Sequence, residues 1–417
     1  MAKPVPPISR PRVRPLQTSP VREGGETRLA ITDPEGIAPG VLVASPALAF
    51  LMSLLDGTRG DAEIAAAWKS ATGDDLAGDD LARILADLDR NLLLEGDRLE
   101  RTRRERLAEY RALPRRPALH AGEAYPEEPG ACRAHLDACA IASQIGEEVG
   151  VAPSVVSAVI APHIDPRGGA PCHGAAGKAI ANSPAEVFVV LGTAHARLER
   201  PFAMTTLDFD TPLGVLPTDR DLVARLAARG GGGLLDDELA HQAEHSVEFQ
   251  ALWIRHAHAK RKGVRIVPVL VGSIHERIRD GRSPRSDPAV LDFVDALREL
   301  KAEMGERLAF VASVDFAHVG PKYGHEKRPD AETMELVRSS DKSLLMQAGR
   351  PDAEGWFRSL HQDGDRWNVC GAAPTYVFLA AIAGTVQQGT PLRHDSWEID
   401  PDTGSHVTFA AMAYAPK

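Results

Sequence analysis

The sequence predicts an α/β fold, a mostly parallel central sheet flanked by helices over residues 118–417, preceded by a small α+β domain. Three observations predict it. After Tyr125, short apolar runs alternate with helical stretches, the order in which parallel strands and their crossover helices occur. Aromatic residues make up only 5% of the chain, so the core must be built from Ala, Val, Leu and Ile, which suits helices on a buried sheet better than a β-sandwich. A chain of 417 residues also exceeds what one ordinary core serves, so two domains are expected.

Residues 1–25 read as a flexible lead-in whose prolines block regular structure. Residues 26–100 form the small domain. Strands are expected at 27–31 and, after a Pro/Gly turn, at 41–44, then a helix over 46–55. Asp61 is placed to cap a helix running to Trp68. Asp79 is placed to cap another over 80–92, where Leu81, Ile84, Leu85, Leu88 and Leu92 share one face. Residues 101–117 carry Arg103, Arg104, Arg106, Arg111, Arg115 and Arg116. They read as a patch for an anionic partner or, more ordinarily, as a solvated basic linker helix ending at Pro114.

Within 118–417, buried strands are expected at 155–160, 187–191, 266–271 and 308–314, with a final strand at 406–414. Helices are expected at 131–149, 173–181, 219–228, 246–260, 288–301, 332–348 and 371–383. The four glycines at 230–233 lack a following Lys-Ser/Thr, so they read as a flexible connection rather than a phosphate loop.

Composition excludes several functions. With 43% apolar and 25% charged residues the chain reads as folded and soluble. A net charge of −10 offers no basic face for phosphates, so nucleic acid is not an expected partner. The Pro- and Arg-rich start has no apolar segment of a secretory signal, and the apolar runs are far shorter than the roughly 20 residues a bilayer needs. No membrane partner is expected. Four cysteines in so long a chain do not form a disulfide framework, and reduced thiols in a cytoplasm are expected.

The candidate chemistry lies just past the strand ends. Residues 155–160 run into Ala161-Pro162-His163-Ile164-Asp165, residues 187–191 into Gly192-Thr193-Ala194-His195, and residues 308–314 into Asp315-Phe316-Ala317-His318. In an open α/β sheet the carboxyl ends of the strands meet at one crevice, where ligands bind. Glu244-His245-Ser246-Val247-Glu248 opens a helix, and Asn368-Val369-Cys370-Gly371 precedes another. A cysteine there feels the positive end of the helix dipole, which favours the metal-binding thiolate. Singly, such histidines are more often loop or core residues than ligands; together they form a constellation. His173, His241 and His325 are read as bystanders, and His256 and His258 as surface residues of a helix. Cys172-His173 are adjacent and so poorly placed to chelate one ion. Cys132 and Cys139 share a helix face as core or half-buried thiols.

These segments, in this order, resemble the Memo family, also called component B of the AmmeMemoRadiSam set. The resemblance runs over about residues 118–417: His120-Ala121-Gly122 with Tyr125-Pro126, Ala161-Pro162-His163, Leu191-Gly192 with His195, Thr211-Pro212-Leu213-Gly214, and Glu244 to Glu248. It continues through Val267-Pro268-Val269-Leu270-Val271-Gly272, Ser313 to His318, Val369-Cys370-Gly371, and His406-Val407-Thr408-Phe409-Ala410-Ala411. It implies a fold similar to the class III extradiol dioxygenases and a metal held by two histidines and a cysteine, falling on His163, His195 and Cys370. Asp315, His318 and His245 match pocket residues, His245 as a general acid or base, and Asp315 and His318 as groups that orient ligands or move protons. Non-haem Fe(II) oxygenases use a carboxylate where this chain has a thiolate, so ring cleavage is not inherited. Fe(II) is the expected ion, with copper or zinc as alternatives.

The chain departs from the family's Ala-Pro-His-Ala-Gly-Tyr by reading Ala161-Pro162-His163-Ile164-Asp165-Pro166-Arg167. Asp165 and Arg167 either alter the ligand or pair as a structural clamp. Residues 26–100, with Leu55-Asp56-Gly57-Thr58-Arg59 and Leu94-Glu95-Gly96, resemble the PqqD-like winged-helix fold, which implies docking of a peptide or a radical-SAM enzyme. Twelve acidic residues against five basic ones between Asp56 and Glu100 oppose DNA binding there. The expected function is redox or oxygen chemistry at a metal, on a small molecule or peptide. The alternatives are a peptide- or protein-binding adaptor using the same pocket, and a metal-dependent hydrolase.

Overall fold

The computed structural model describes residues 10–23, 26–33, 35–145, 150–229 and 233–417, which fall into two units, one through Ala112 and one from Leu113. The end of the helix expected at 131–149 (146–149), most of the glycine connection (230–232) and parts of the lead-in (1–9 and 24–25) lie outside the described residues.

The first unit opens with an antiparallel sheet of β1 (Gln17–Glu23), β2 (Glu26–Thr32) and β3 (Leu42–Ala44), in that order. Four helices follow: α1 (Pro46–Leu54), α2 (Asp61–Thr72), α3 (Gly78–Arg90) and α4 (Asp97–Arg111). The flexible lead-in is thereby corrected. Gln17–Glu23 within it is a strand, tolerable for Pro20 because β1 is an edge strand whose outer side needs no ladder partner. Arg14 in front of it is buried, ion-paired with Asp33 and Glu35, and its Nε donates to Leu92 O at 2.7 Å. The caps also shift. Gly60, not Asp61, precedes α2, with Glu63 Oε2 accepting from Gly60 N at 2.8 Å, and Asp79 and Asp80 lie in the first turn of α3, where carboxylates complement the dipole. Leu81 and Leu88 of α3 pack with Ile31, Leu51, Leu55 and Ile64 to form the unit's core.

The second unit carries the large sheet. Its elements are α5 (Pro129–Ala142), β4 (Ala158–Ala161), α6 (Pro166–Ala181), β5 (Val187–Thr193), β6 (Phe202–Met204), α7 (Arg220–Arg229), α8 (His245–Ala257), β7 (Arg265–Val271) and α9 (His275–Asp280). Then come α10 (Pro288–Met304), β8 (Leu308–Ser313), β9 (His318–Val319), α11 (Ala331–Gly349), α12 (Ala353–Asp363), α13 (Ala372–Ile382), β10 (Thr390–Asp400) and β11 (Ser405–Tyr414). The strand order is β10-β11-β4-β8-β5-β7-β6, with β9 added to β11. The four central strands are mutually parallel, so β4, β8, β5 and β7 end at one edge. The outer pairings are antiparallel.

Each central strand is buried on both faces. Val187, Val189 and Leu191 of β5 enter one core with α10 and α13, whereas Phe188 and Val190 enter the other with α6 and α8. Strands β6, β9 and β10 and helices α9 and α12 were not expected. β10 escapes pattern reading because its polar residues are only half-buried at the sheet margin. On its inner side Trp397 lies against α6 so closely that a Cβ on Gly168 would fall 2.0 Å from the indole.

The basic linker of residues 101–117 is helical in part, but the helix ends at Arg111 and does not include Arg116. Its first part is α4, with Leu99 and Tyr110 buried and Arg103 held bidentately by Glu35 at 2.7 and 2.9 Å. Its last part belongs to the second unit, where Arg116 is fully buried and ion-paired with Glu248 of α8. Arg116 also donates to His241 O at 3.0 Å and Glu244 O at 2.8 Å. Glu248 accepts from Tyr125 OH, His120 N and His120 Nδ1. Burial alone would raise the Glu248 carboxyl; Arg116 and the donors overcome it and hold it at about 2.

A depressed carboxyl contributes stability that is fully present above its unfolded pKa, near 4.5, and lost as pH falls toward 2. That contribution is about 3 kcal/mol. Glu248→Gln should therefore flatten the pH dependence of urea unfolding between about pH 5 and 2. Arg116→Met, which strands the carboxylate, should destabilise by about 3–5 kcal/mol at neutral pH.

Candidate metal centre

Three neighbouring parallel strands deliver the polar residues. β4 ends at Ala161 and Pro162 turns the chain to His163. The backbone N–H of His163 donates to Asp315 Oδ1 at 3.0 Å, and its Nδ1–H to Ser313 O at 2.9 Å, both just past or at the end of β8. That bond assigns the proton to Nδ1 and leaves the Nε2 lone pair free. Gln250 of α8 ties the same corner together, donating to Pro162 O and to Ser313 Oγ.

β5 ends at Thr193, and His195 follows. Its N–H donates to Glu244 Oε2 at 3.0 Å and its Nδ1 lies 3.0 Å from Oε1, so this ring too presents Nε2. Glu244 is buried and also caps α8, accepting from Ser246 N at 2.9 Å. One carboxylate thus orients a histidine and starts the helix that carries His245.

Cys370 comes from the far side, one residue before the N-cap of α13. Its Sγ lies 3.4 Å from His163 Nε2. The ligand atoms of His163, His195 and Cys370 all lie within 4.8 Å of one another. Two ligands of one ion at ordinary metal–nitrogen and metal–sulfur lengths stand about 3.5 Å apart. The donor set and its spacing fit a thiophilic cation and leave coordination positions for an exogenous ligand.

The remaining expected residues surround this trio. The His245 ring stacks on His195 at 4.7 Å and meets His163 edge-on at 5.3 Å, with Nδ1 3.4 Å from Glu244 Oε1. His195, Glu244 and His245 also form a second cluster of potential ligands. Asp315 is buried, with Oδ2 3.6 Å from His163 Nε2. His318 turns Nδ1 to Phe316 O at 3.0 Å and its ring edge to Tyr323.

Burial governs the protonation states. It pushes His163 down to about 3, with His195 adding to the effect, and lowers His245 and His318. His195 is the exception, because the Glu244 carboxylate overrides burial and raises it. Burial raises Asp315 and also Cys370, which His195 pulls only partly back. The expectation that the helix dipole lowers Cys370 meets the opposite direction: desolvation in the pocket pushes the half-buried thiol up, and a bound cation would have to supply the charge that favours thiolate.

Other expectations resolve individually. Asp165 caps α6 and ion-pairs with Arg167, the structural clamp. His173 and His241 are buried and bond to backbone carbonyls, as bystanders do. His258 is corrected from surface to buried, at 4% exposure, against Phe188. All four cysteines are free, and Cys132, Cys139 and Cys172 are buried. The sequence places Glu244 at the start of a helix and His120 in a family-matching segment but gives neither a role; in the structure Glu244 orients His195 and caps α8, and the His120 ring lies 5.7 Å from that of His245.

Gly371 lets the cysteine approach. A Cβ there would fall 2.5 Å from Asp315 O and 2.7 Å from Val314 Cβ. Gly371→Ala should cost about 1–3 kcal/mol in chemical denaturation, because neither neighbour is a flexible side-chain end.

The order of these residues along the chain has counterparts in other proteins. A family model described as Memo-like protein matches residues 116–413. A MEMO1 family protein of Aquifex aeolicus is 28% identical over 97% of this chain and all of its own length, a span that includes both units. MEMO1 family proteins of Thermococcus onnurineus and Methanopyrus kandleri are 29% and 26% identical over 55% and 72% of this chain, and 76% and 99% of their own lengths. A match across nearly the whole second unit, including every strand end that shapes the pocket, makes this chain a member of the Memo family.

Proposed function

We propose that this chain is a Memo-type metalloprotein in which His163, His195 and Cys370 hold one ion, Fe(II) foremost, for redox or oxygen chemistry on a small molecule or peptide. The observation that carries this reading is the locking of both rings through Nδ1, by Ser313 O and Glu244, so that both Nε2 atoms lie toward the Cys370 sulfur. The ion supplies a Lewis-acidic, redox-active centre with positions for an exogenous ligand. His163 and His195 would hold it through Nε2, His195 giving up its Nε2 proton as the ion binds. Glu244 and Ser313 keep those rings oriented. His245, neutral at pH 7 through burial, accepts a proton beside the ligand positions. Asp315 and His318 orient ligand or water.

The first unit serves as the recruiting module for a peptide or a radical-SAM partner. A cavity of about 300 Å3 lined by Leu42, Leu48, Ile84 and Leu88 lies beside β3, where Val41 and Val43 are exposed. An edge strand next to an apolar cleft suits an extended peptide. The chain is assigned to the cytoplasm, where its four cysteines would stay reduced.

Full-length protein purified without oxygen should hold about one iron per chain and bind nitric oxide at it, by metal analysis and electron paramagnetic resonance. Cys370→Ser and His163→Ala should lose the metal, and Glu244→Gln should weaken it by about 10–100-fold. Stoichiometric zinc with a coordinated water would favour the hydrolase. A protein without metal whose peptide affinity survives His163→Ala would favour the adaptor.

A further inference from the structure

The segment that delivers Cys370 has a backbone that few residues adopt. Asp365 and Asn368 both lie in the left-handed region, at φ +48° and +50°, where Asp and Asn are enriched among non-glycine residues. Such conformations persist when surrounding contacts over-determine them. Here they do. The Asp365 side chain is 7% exposed, its Oδ1 accepts from Val369 N at 2.9 Å, and its Oδ2 lies 2.6 Å from Nδ1 of His275, the first residue of α9. Its own N–H donates to Leu360 O at 2.9 Å, and its carbonyl accepts from Asn368 N at 3.0 Å. The Asn368 amide donates to Tyr323 O at 3.2 Å, in the stretch after His318. Gly371 N then bonds Asp315 O at 3.0 Å, so the chain on both sides of Cys370 is fastened.

We propose that Asp365, assisted by Asn368, is a positioning residue that sets the Cys370 sulfur at ligand distance from His163 and His195 and so gives the site its preference for thiophilic cations. The inference rests on the metal-centre reading. It follows from geometry. His163 and His195 are fixed by β4, β5 and β8, rigid strands of the sheet, whereas the cysteine sits on an irregular segment after α12. A displacement of about 1 Å in that segment removes the sulfur from bonding reach but leaves both imidazoles in place. The tie from Asp365 to His275 anchors the segment to the connection leaving β7, the next strand of the same edge.

The test uses full-length protein titrated with Co(II) alone in the absence of oxygen, reading the thiolate-to-cobalt charge-transfer absorption in the near ultraviolet. The wild type should show the band and Cys370→Ser should lack it. Asp365→Gly keeps the left-handed backbone but removes the carboxylate; it should lose most of the band and bind Co(II) about 10–100-fold more weakly. Asp365→Asn retains an acceptor for Val369 N and should stay within about threefold of wild type. If Asp365→Gly does not fold, by circular dichroism, Asn368→Gly is read in the same way. A wild-type band that persists undiminished, with unchanged affinity, in the folded glycine variant overturns the positioning role while the metal centre stands. A wild type with no Cys370-dependent band overturns the metal centre and this inference together.

Discussion

Two carboxylates one helical turn apart, both withdrawn from water, constrain everything around the pocket. Glu244 precedes α8 and Glu248 lies in its first turn. A buried carboxylate is tolerated only where cations and donors surround it. Glu248 gathers Arg116, His120 and Tyr125, and so fastens the start of the second unit beneath the helix. Glu244 gathers His195 and the Ser246 amide of α8. The structure therefore uses one helix terminus twice, as a packing anchor and as the part that orients a histidine.

The sheet converts this local chemistry into a pocket. Because β4, β8 and β5 are adjacent and parallel, His163, Asp315 and His195 emerge side by side, although they are up to 152 positions apart in sequence. The two cores that hold those strands are close-packed on both faces, so the strand ends have little freedom to move. The antiparallel strands β10, β11 and β6 extend the sheet but contribute none of the three trio residues. Rigid parallel strands on one side and a tied irregular segment on the other make the pocket a meeting of two kinds of support.

What was legible in the sequence follows from this division. The buried parallel strands announce themselves as apolar runs, and the residues just beyond them announce the site. His163, His195 and Asp315 were readable for that reason, and His245 from the helix that it opens. The half-polar β10 and the two-residue β9 have no period to detect. Arg116 could not be recognised as buried, since an arginine in a basic run carries no mark of its distant partner Glu248. The dipole argument for Cys370 failed on a quantity that sequence does not contain, the desolvation of the thiol among the pocket's side chains. Unexpected order in the lead-in has the same source: Pro20 forbids only the inner positions of a sheet, and topology alone says which strand is the edge.

Replacing a carboxylate ligand by Cys370 leaves the formal charge of a two-histidine site unchanged, since thiolate and carboxylate each carry one negative charge. Charge therefore does not distinguish the cations such a site would prefer. Polarizability does, and sulfur shifts the balance toward copper, zinc and electron-rich iron and away from magnesium or calcium. Asp315, whose Oδ2 stands 3.6 Å from the His163 Nε2, would then be a carboxylate near such an ion without being one of the trio. Burial raises its pKa, and its Oδ1 is already engaged by the His163 backbone. An acid so placed holds the His163 corner in place through Oδ1 and, with an ion bound, would keep a second oxygen available to that ion's ligand, a division of labour that a carboxylate bound to the metal could not provide.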